Sequence, residues 1–113
     1  MSALLDHQIK FSQMVTDLIR FAYDNGYGIT LGDAFRDPRC PYGSKNSLHR
    51  KRLAIDLNLF VRTPDDRWDY MALTEDHTLL GEYWESIGGT WGGRFVKNPD
   101  GNHYQLSFDE IGV

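Results

Sequence analysis

Apolar residues near the start of the chain recur at intervals of three and four, the spacing of one face of an α-helix. Charged and amide residues separate them, and the apolar positions are Ala3, Leu4, Ile9, Phe11, Met14, Val15, Leu18, Ile19 and Ala22. Asn25 and Gly26 follow, and both residue types adopt the left-handed conformation that ends a helix. The pattern predicts a long first helix that ends near Asn25 and covers one face of a sheet.

Strand character appears in two later segments. Residues 27–35 lack helical periodicity and contain β-branched and aromatic side chains, so they predict a strand that carries Arg36 at its end. Residues 53–61 alternate between an apolar and a mixed set of positions and predict a second strand. The turn residues 63–66 lead to a short aromatic segment at 68–71, so these two strands are predicted to form a hairpin.

The last part of the chain predicts a second helix and a final hairpin. Thr74 is a suitable N-cap residue, and the acidic residues that follow it favour the first turn of a helix. Gly88 marks the end of this helix. The Asn-Pro-Asp-Gly sequence at 98–101 predicts a turn, and the second strand of that hairpin covers 103–108. The chain is therefore predicted to have an α+β fold, with a small antiparallel sheet and two main helices.

The composition limits the size and the partners of this fold. The 113 residues, 41% hydrophobic and 25% charged, match one compact domain, and we expect a monomer. A net charge of −4 with neutral histidines argues against a broad cationic surface for nucleic acid. The single cysteine, Cys40, cannot form an internal disulfide, which is typical of a reducing cytosol. Charged residues interrupt every apolar run, so we expect neither an export signal nor insertion into a membrane.

Two histidines and two aspartates are the candidates for chemistry. Asp56 lies in an apolar strand on the face opposite its most apolar side chains, His49 precedes that strand, and Asp100 and His103 belong to the last turn. Each residue alone also fits an ordinary role as a surface histidine, a solvent-facing carboxylate or part of a local turn. Two imidazoles and one carboxylate would form a zinc site with a fourth position open to water, as a hydrolytic zinc centre requires.

The order and spacing of these residues resemble a family of zinc peptidases. Six residues separate His49 from Asp56, and two separate Asp100 from His103. Further matches are Arg36, Ser47, Ala54, Trp84, Trp91, Gly92, Gly93 and Phe95. The family includes D-alanyl-D-alanine carboxypeptidases, vancomycin-resistance D,D-dipeptidases and bacteriophage L-alanyl-D-glutamate endolysins. The resemblance implies the α+β fold that these enzymes share with hedgehog signalling domains, with residues 1–113 forming one catalytic peptidase domain.

The resemblance also implies the roles of the four central residues. His49, Asp56 and His103 would be the zinc ligands, and Asp100 would be the general base. Zinc lowers the pKa of a bound water to about 7 and polarises the scissile carbonyl group. The carboxylate of Asp100 would remove the proton from that water and deliver it to the leaving amine.

Three further residues have weaker implied roles. Arg36 would hold the carbonyl oxygen or a substrate carboxylate, although a surface ion pair is the alternative. Ser47 would hydrogen-bond a ligand or the substrate, or else the local backbone. Trp91 would form a wall of the cleft, whereas for Trp68 and Trp84 we favour packing in the core.

The sequence differs from the usual family pattern at one position, and at another it matches one group within the family. The family usually has a glycine three residues after the first histidine, where this chain has Arg52, so we expect the loop that leads to Asp56 to differ. The late carboxylate is Asp100, where the dipeptidases have a glutamate, and the phage enzymes more often have the aspartate. This choice favours the endolysin branch.

The leading interpretation is a zinc peptidase that cuts peptidoglycan stem peptides, most simply at the L-alanyl-D-glutamate bond. As a phage endolysin it would accumulate in the host cytoplasm and reach the cell wall once a holin opens the inner membrane. A D-alanyl-D-alanine carboxypeptidase of the same fold and a non-catalytic zinc-binding module remain as alternatives, and the scissile bond stays open.

The remaining basic and histidine residues suggest less. The basic run at 50–52 beside His49 is also compatible with a metal-dependent nuclease, but the acidic balance of the chain argues against that class. The same run fits a solvated rim or a contact with anionic wall polymer or substrate carboxylates. His7 and His77 lie in helical segments outside both motifs, and we expect them to face solvent or to cap helices.

Overall fold

A computed structural model gives the structure of the protein, and it describes residues 3–35, 39 and 48–108. The elements are α1 (Ala3–Asp24), β1 (Tyr27–Leu31), β2 (Ala54–Arg62), β3 (Trp68–Tyr70), α2 (Thr78–Ser86), β4 (Thr90–Trp91) and β5 (His103–Gln105). The predicted α+β fold with a small antiparallel sheet and two helices is confirmed. Over the described ranges, no helix combines the length and the apolar character that a membrane crossing needs.

The sheet is built around β2, which is long enough to have different neighbours at its two ends. The strand order is β1-β2-β5-β4, with β3 paired to β2 outside this path, and every pairing is antiparallel. Residues 54–56 of β2 pair with β5, residues 57–61 with β1, and residues 60–62 with β3. The two predicted hairpins, β2–β3 and β4–β5, are both present, although β5 ends at Gln105.

One face of this sheet packs against the helices and the other face carries the polar residues. Side chains alternate between the two faces along β2, so Leu57 and Leu59 are buried beneath α1 and α2, while Asp56 and Asn58 are only partly covered. The core also contains Phe11, Met14, Leu18, Ala22, Leu53, Ile55, Leu80, Trp84, Trp91, Tyr104 and Leu106. The functional candidates therefore lie on the outer face of a sheet that the helices stabilise from behind.

Two further predicted element boundaries are wrong, and each has a local cause. The first strand ends at Leu31 because Gly32 and Asp33 both oppose Asp56: the Gly32 N–H donates to the Asp56 carbonyl at 2.8 Å, and the Asp56 N–H donates to the Asp33 carbonyl at 2.9 Å. Two residues against one form a β-bulge, which ends regular pairing. Thr74 does not cap α2, because a 3-10 turn over Thr74–His77 precedes the helix.

Two side chains, Trp68 and His77, differ in burial from what their residue types and sequence positions predicted. Trp84 is buried as expected, but Trp68 is 51% exposed on β3, so the prediction of a core position for Trp68 is wrong. His77 neither faces solvent nor caps a helix through its side chain; it is buried, and its Nδ1 shares a hydrogen bond of 2.9 Å with the hydroxyl of Tyr104. Hydrogen bonding of this kind satisfies a buried imidazole without a metal.

Candidate active site

The structure brings together His49, Asp56 and His103, the three predicted zinc ligands. One nitrogen of each histidine and a carboxylate oxygen of Asp56 all lie within 4.8 Å of one another. Asp56 Oδ1 lies 3.3 Å from His49 Nε2 and 3.3 Å from His103 Nδ1. The two histidines are 3% and 8% exposed, whereas the Asp56 side chain is more open. The cluster therefore has buried walls and one accessible side.

Two of the three residues meet because their strands pair in a particular register. Asp56 and His103 are direct partners across β2 and β5. The backbone of Asp56 bonds to Gly32 and Asp33 at the opposite edge, and the N–H of the next residue, Leu57, donates to Asn102 at 2.9 Å. Asp56 and His103 thus form a pair that exchanges no backbone hydrogen bonds, in which side chains on the same face lie especially close.

His49 reaches the cluster from a tight turn that enters β2. It lies in a 3-10 turn, Leu48–Lys51, which closes when the Leu53 N–H donates to the Leu48 carbonyl at 2.9 Å. Arg52 completes this reversal in the left-handed conformation, with φ of 58°. Glycine adopts that conformation without strain, which explains why the family pattern has one there. Arg52 adopts this conformation although it carries a side chain, and its guanidinium carbon lies 4.2 Å from the centre of the Phe35 ring. A difference between this loop and that of the family stays a prediction.

The charge of Asp56 fits a role as a metal ligand. Burial raises the pKa of its carboxyl group, but the adjacent His103 and His49 lower it more, to about 2. Oδ1 is buried, and among the residues that the structure describes no group donates a well-directed hydrogen bond to it. An anionic oxygen between two imidazole nitrogens is a donor set that zinc accepts. The residues present therefore fit a zinc ion with three protein ligands.

Asp100 lies in the turn that leads into β5, close to the cluster. Its N–H donates to the Gly92 carbonyl at 2.9 Å, and its own carbonyl accepts the His103 N–H at 3.2 Å. Partial burial of the carboxyl group and the negative charge of Asp56 raise its pKa, although His103 and His49 oppose this shift. A raised pKa makes the carboxylate a stronger base.

The turn can approach the sheet this closely only because residue 92 is glycine. A β-carbon at Gly92 would overlap the carbonyl oxygen of Asp100 and would lie 2.8 Å from Cβ of His103. Gly92 of the Trp-Gly-Gly sequence is therefore a packing requirement, since it sets the distance between the Asp100 turn and His103.

Comparison with known proteins gives one matching family and a similar fold. A family model described as D-alanyl-D-alanine carboxypeptidase matches residues 42–106, more than half of the chain. The chain belongs to this peptidase family. Its fold is similar to that of the L-Ala D-Glu endopeptidase ChiX of Serratia marcescens, with a TM-score of 0.62, 16% identity, and coverage of 100% of this chain and 93% of that one. No curated protein matches the chain in sequence. The chain is thus a peptidase of a family that acts on peptidoglycan peptides.

The other three predicted site residues of the peptidase are Trp91, Arg36 and Ser47, and only Trp91 lies among the described residues. Trp91 is 3% exposed, its indole N–H donates to the Gly101 carbonyl at 2.8 Å, and a β-carbon at Gly81 or Gly93 would overlap its ring. It packs behind the Asp100 turn, and contact between Trp91 and substrate stays a prediction. Arg36 and Ser47 lie outside the described residues, so their roles also stay predictions.

One residue of the peptidase site was missed from the sequence. Gln105 Oε1 lies 2.7 Å from His103 Nε2 and accepts a hydrogen bond from it, which assigns a proton to Nε2 and makes Nδ1, the nitrogen that faces Asp56, the one available to a metal. Ligating histidines commonly donate their second N–H to such an acceptor, which orients the ring. The available signal was the spacing, because residues two apart on a strand lie on the same face.

Proposed function

We propose that this peptidase holds zinc through His49, Asp56 and His103 and hydrolyses the L-alanyl-D-glutamate bond of peptidoglycan stem peptides. The observation that carries the proposal is the convergence of those three ligand atoms within 4.8 Å. A carboxylate with a raised pKa, Asp100, stands in the adjoining turn. Three protein ligands beside a separate base are the arrangement of a hydrolytic centre.

The residues of the chain divide the chemistry between them. A bound zinc ion would supply Lewis-acid polarisation of the scissile carbonyl group and would lower the pKa of water. Gln105 orients His103 so that its Nδ1 lies 3.3 Å from Asp56 Oδ1. These donor atoms already lie close together, so little reorganisation accompanies metal binding. The Asp100 carboxylate takes a proton from the attacking water and passes it to the nitrogen of the leaving D-glutamate.

Two observations favour different bonds within the stem peptide. The aspartate at position 100 and the similar fold of an L-Ala D-Glu endopeptidase support cleavage after L-alanine. The family description supports the alternative, removal of the terminal D-alanine by a D,D-carboxypeptidase. A zinc-binding module without activity is a further alternative, in which Asp100 would have no role.

We also propose that residues 1–113 work as one monomeric domain in phage-induced lysis. The support is the resemblance of Asp100 to the phage branch of the family. The enzyme would accumulate in the host cytoplasm and act on the wall after a holin opens the inner membrane. Expression in a bacterial host, with and without a holin, tests this: lysis only with the holin is the expected result.

The bond is tested by digestion of a purified disaccharide pentapeptide with zinc-loaded protein. Cleavage after L-alanine leaves the disaccharide with L-alanine and releases a tetrapeptide that begins with D-glutamate. Release of free D-alanine would instead identify the carboxypeptidase. Loss of activity with a chelator and its return with zinc are expected in either case.

The base is tested by Asp100→Asn. We expect a loss of about 10²–10⁴-fold in kcat with an unchanged zinc content. Asp69→Asn on the exposed β3 strand is the matched control and should retain full activity. Full activity of Asp100→Asn would contradict the mechanism, whereas inactivity of the wild-type protein towards every peptide, with zinc bound, would favour the non-catalytic module.

A further inference from the structure

A groove of about 270 Å³ lies beside the second half of β2, at some distance from the metal cluster. It runs around the edge strand β1, and its lining is Tyr23, Gly28, Ile29, Thr30, Phe60 and Trp68. Two of its walls are open aromatic surfaces, since Tyr23 is 56% and Trp68 is 51% exposed. Large exposed aromatic side chains around a concave surface are typical of a binding site.

The groove shares a surface with the candidate active site. Asp56 and Phe60 lie on the same outer face of β2 because they are four positions apart along the strand, an even interval. Gly28 and Thr30 of β1 stand opposite Phe60 and Asn58. Four residues of strand correspond to roughly 13 Å, so a ligand that occupies the metal cluster can extend along this face into the groove.

The Trp68 ring is held in place by contacts on both sides. A β-carbon at Gly28 would lie 2.9 Å from the ring, so the indole lies directly on the β1 backbone. The guanidinium carbon of Arg62 lies 4.7 Å from the ring centre, and Arg62 is itself fixed by Asp66, with a nitrogen to oxygen distance of 2.7 Å. An aromatic platform that is ordered in advance loses little conformational freedom when a ligand binds.

We propose that this groove binds the glycan strand of peptidoglycan while the attached stem peptide occupies the metal cluster; the proposal rests on the proposed function. The six lining residues carry no charge, which matches uncharged N-acetylated sugars better than stem peptides with their free carboxylates. The C–H face of a pyranose ring packs on the negative face of an aromatic ring. One alanine and the lactyl link span about 7 Å, so the first sugar ring begins about halfway along the roughly 13 Å from Asp56 to Phe60, and the sugars beyond it continue into the groove.

The first experiment measures sugar binding directly. Calorimetry with a tetrasaccharide of N-acetylglucosamine should show binding to the zinc-loaded protein, weakened about tenfold by Trp68→Ala and largely retained by Trp68→Tyr. Tyr70→Ala is the matched control, because Tyr70 is a similarly exposed aromatic residue of β3 that does not line the groove. Absence of wild-type binding, or equal weakening by both alanine variants, would overturn the proposal.

The second experiment links the groove to catalysis. For a disaccharide pentapeptide, Trp68→Ala should raise KM about tenfold, whereas kcat/KM for the same pentapeptide without sugar should stay unchanged. An equal loss on both substrates would overturn the proposal, as would a dimer that Trp68→Ala dissociates, because the groove would then be a protein interface. If no peptide is cut at all, the proposed function fails, while the calorimetry still decides whether the groove binds sugar.

Discussion

The two ends of β2 have the same alternation of side chains but very different surroundings. At the first end, Asp56 is bonded through its backbone to the Gly32–Asp33 bulge and faces His103 across β5. At the second end, β2 forms an open hairpin with β3, where Trp68 and its neighbours are exposed. Both edges of β2 are paired at each end, with β5 and the bulge at the first end and with β1 and β3 at the second. The difference therefore lies in burial, because the side chains of the histidine cluster are enclosed whereas the aromatic side chains of β3 are open to solvent.

The largest expected difference between the two ends comes from adding one methyl group at each. Gly92→Ala should destabilise the protein by about 1–3 kcal/mol and weaken zinc binding, because the new β-carbon would collide with backbone of the Asp100 turn. Gly28→Ala should cost less, because its β-carbon meets only the tip of a side chain and no backbone, so a small shift of the Trp68 ring relieves the contact while the ring stays between β1 and Arg62. Thermal unfolding and zinc titration of both variants check this. Equal effects would mean that the two ends of β2 tolerate an added β-carbon equally well.

A smaller effect is expected at the support of the metal ligand. Gln105→Leu should weaken zinc affinity by about 10–100-fold, because nothing would then hold the His103 ring by its Nε2–H. Gln105→Glu keeps an acceptor and should preserve affinity. Competition with a chromogenic chelator measures both variants. If Gln105→Glu loses as much affinity as Gln105→Leu, the contribution of Gln105 is packing and not orientation of His103.

Much of the first end could be predicted because one residue is unusual for its element and because the spacing resembles a known family. The carboxylate in an apolar strand drew attention to Asp56, the resemblance to the zinc peptidases added His49 and His103, and the structure places all three together. Gln105 was missed because a polar residue in a short edge strand has many ordinary explanations. The long first helix was predicted closely because its apolar period extends over 22 residues.

The second end was harder to predict because its character comes from tertiary contacts. Trp68 has a residue type that favours the core, but its strand pairs with the last residues of β2, and all three residues of that strand are exposed. The early end of β1 likewise depends on a bulge opposite Asp56, which no local sequence signal requires. Thr74 looked like a cap, but the Asp76 carboxylate accepts the Leu73 N–H at 3.1 Å and favours a tight turn instead.

The buried first end should also be more sensitive to pH than the exposed hairpin. Burial lowers the pKa of His77 in the folded protein, so below about pH 6.5 the unfolded chain binds a proton that the folded chain excludes. The stability that this group contributes is therefore lost as the pH falls through this range, by at most about 1.4 kcal/mol per pH unit. His103 contributes in the opposite direction, because its pKa, which burial alone would lower, is raised by Asp56. In chelator, His77→Gln should flatten the dependence between pH 7.5 and 5.5. Asp66→Asn, which removes an exposed ion pair of the hairpin, should leave the slope unchanged.

The smallest effect concerns the turn that delivers His49 to the first end. Arg52→Gly and Arg52→Ala both remove the contact with Phe35, but only glycine adopts the observed φ of 58° without strain. The glycine variant should therefore be more stable than the alanine variant by about 1 kcal/mol, and zinc affinity should be the same in both. Urea unfolding of the two variants measures the difference. Equal stability would mean that the backbone at residue 52 relaxes in the alanine variant. The turn before β2 would then not be fixed in the left-handed conformation.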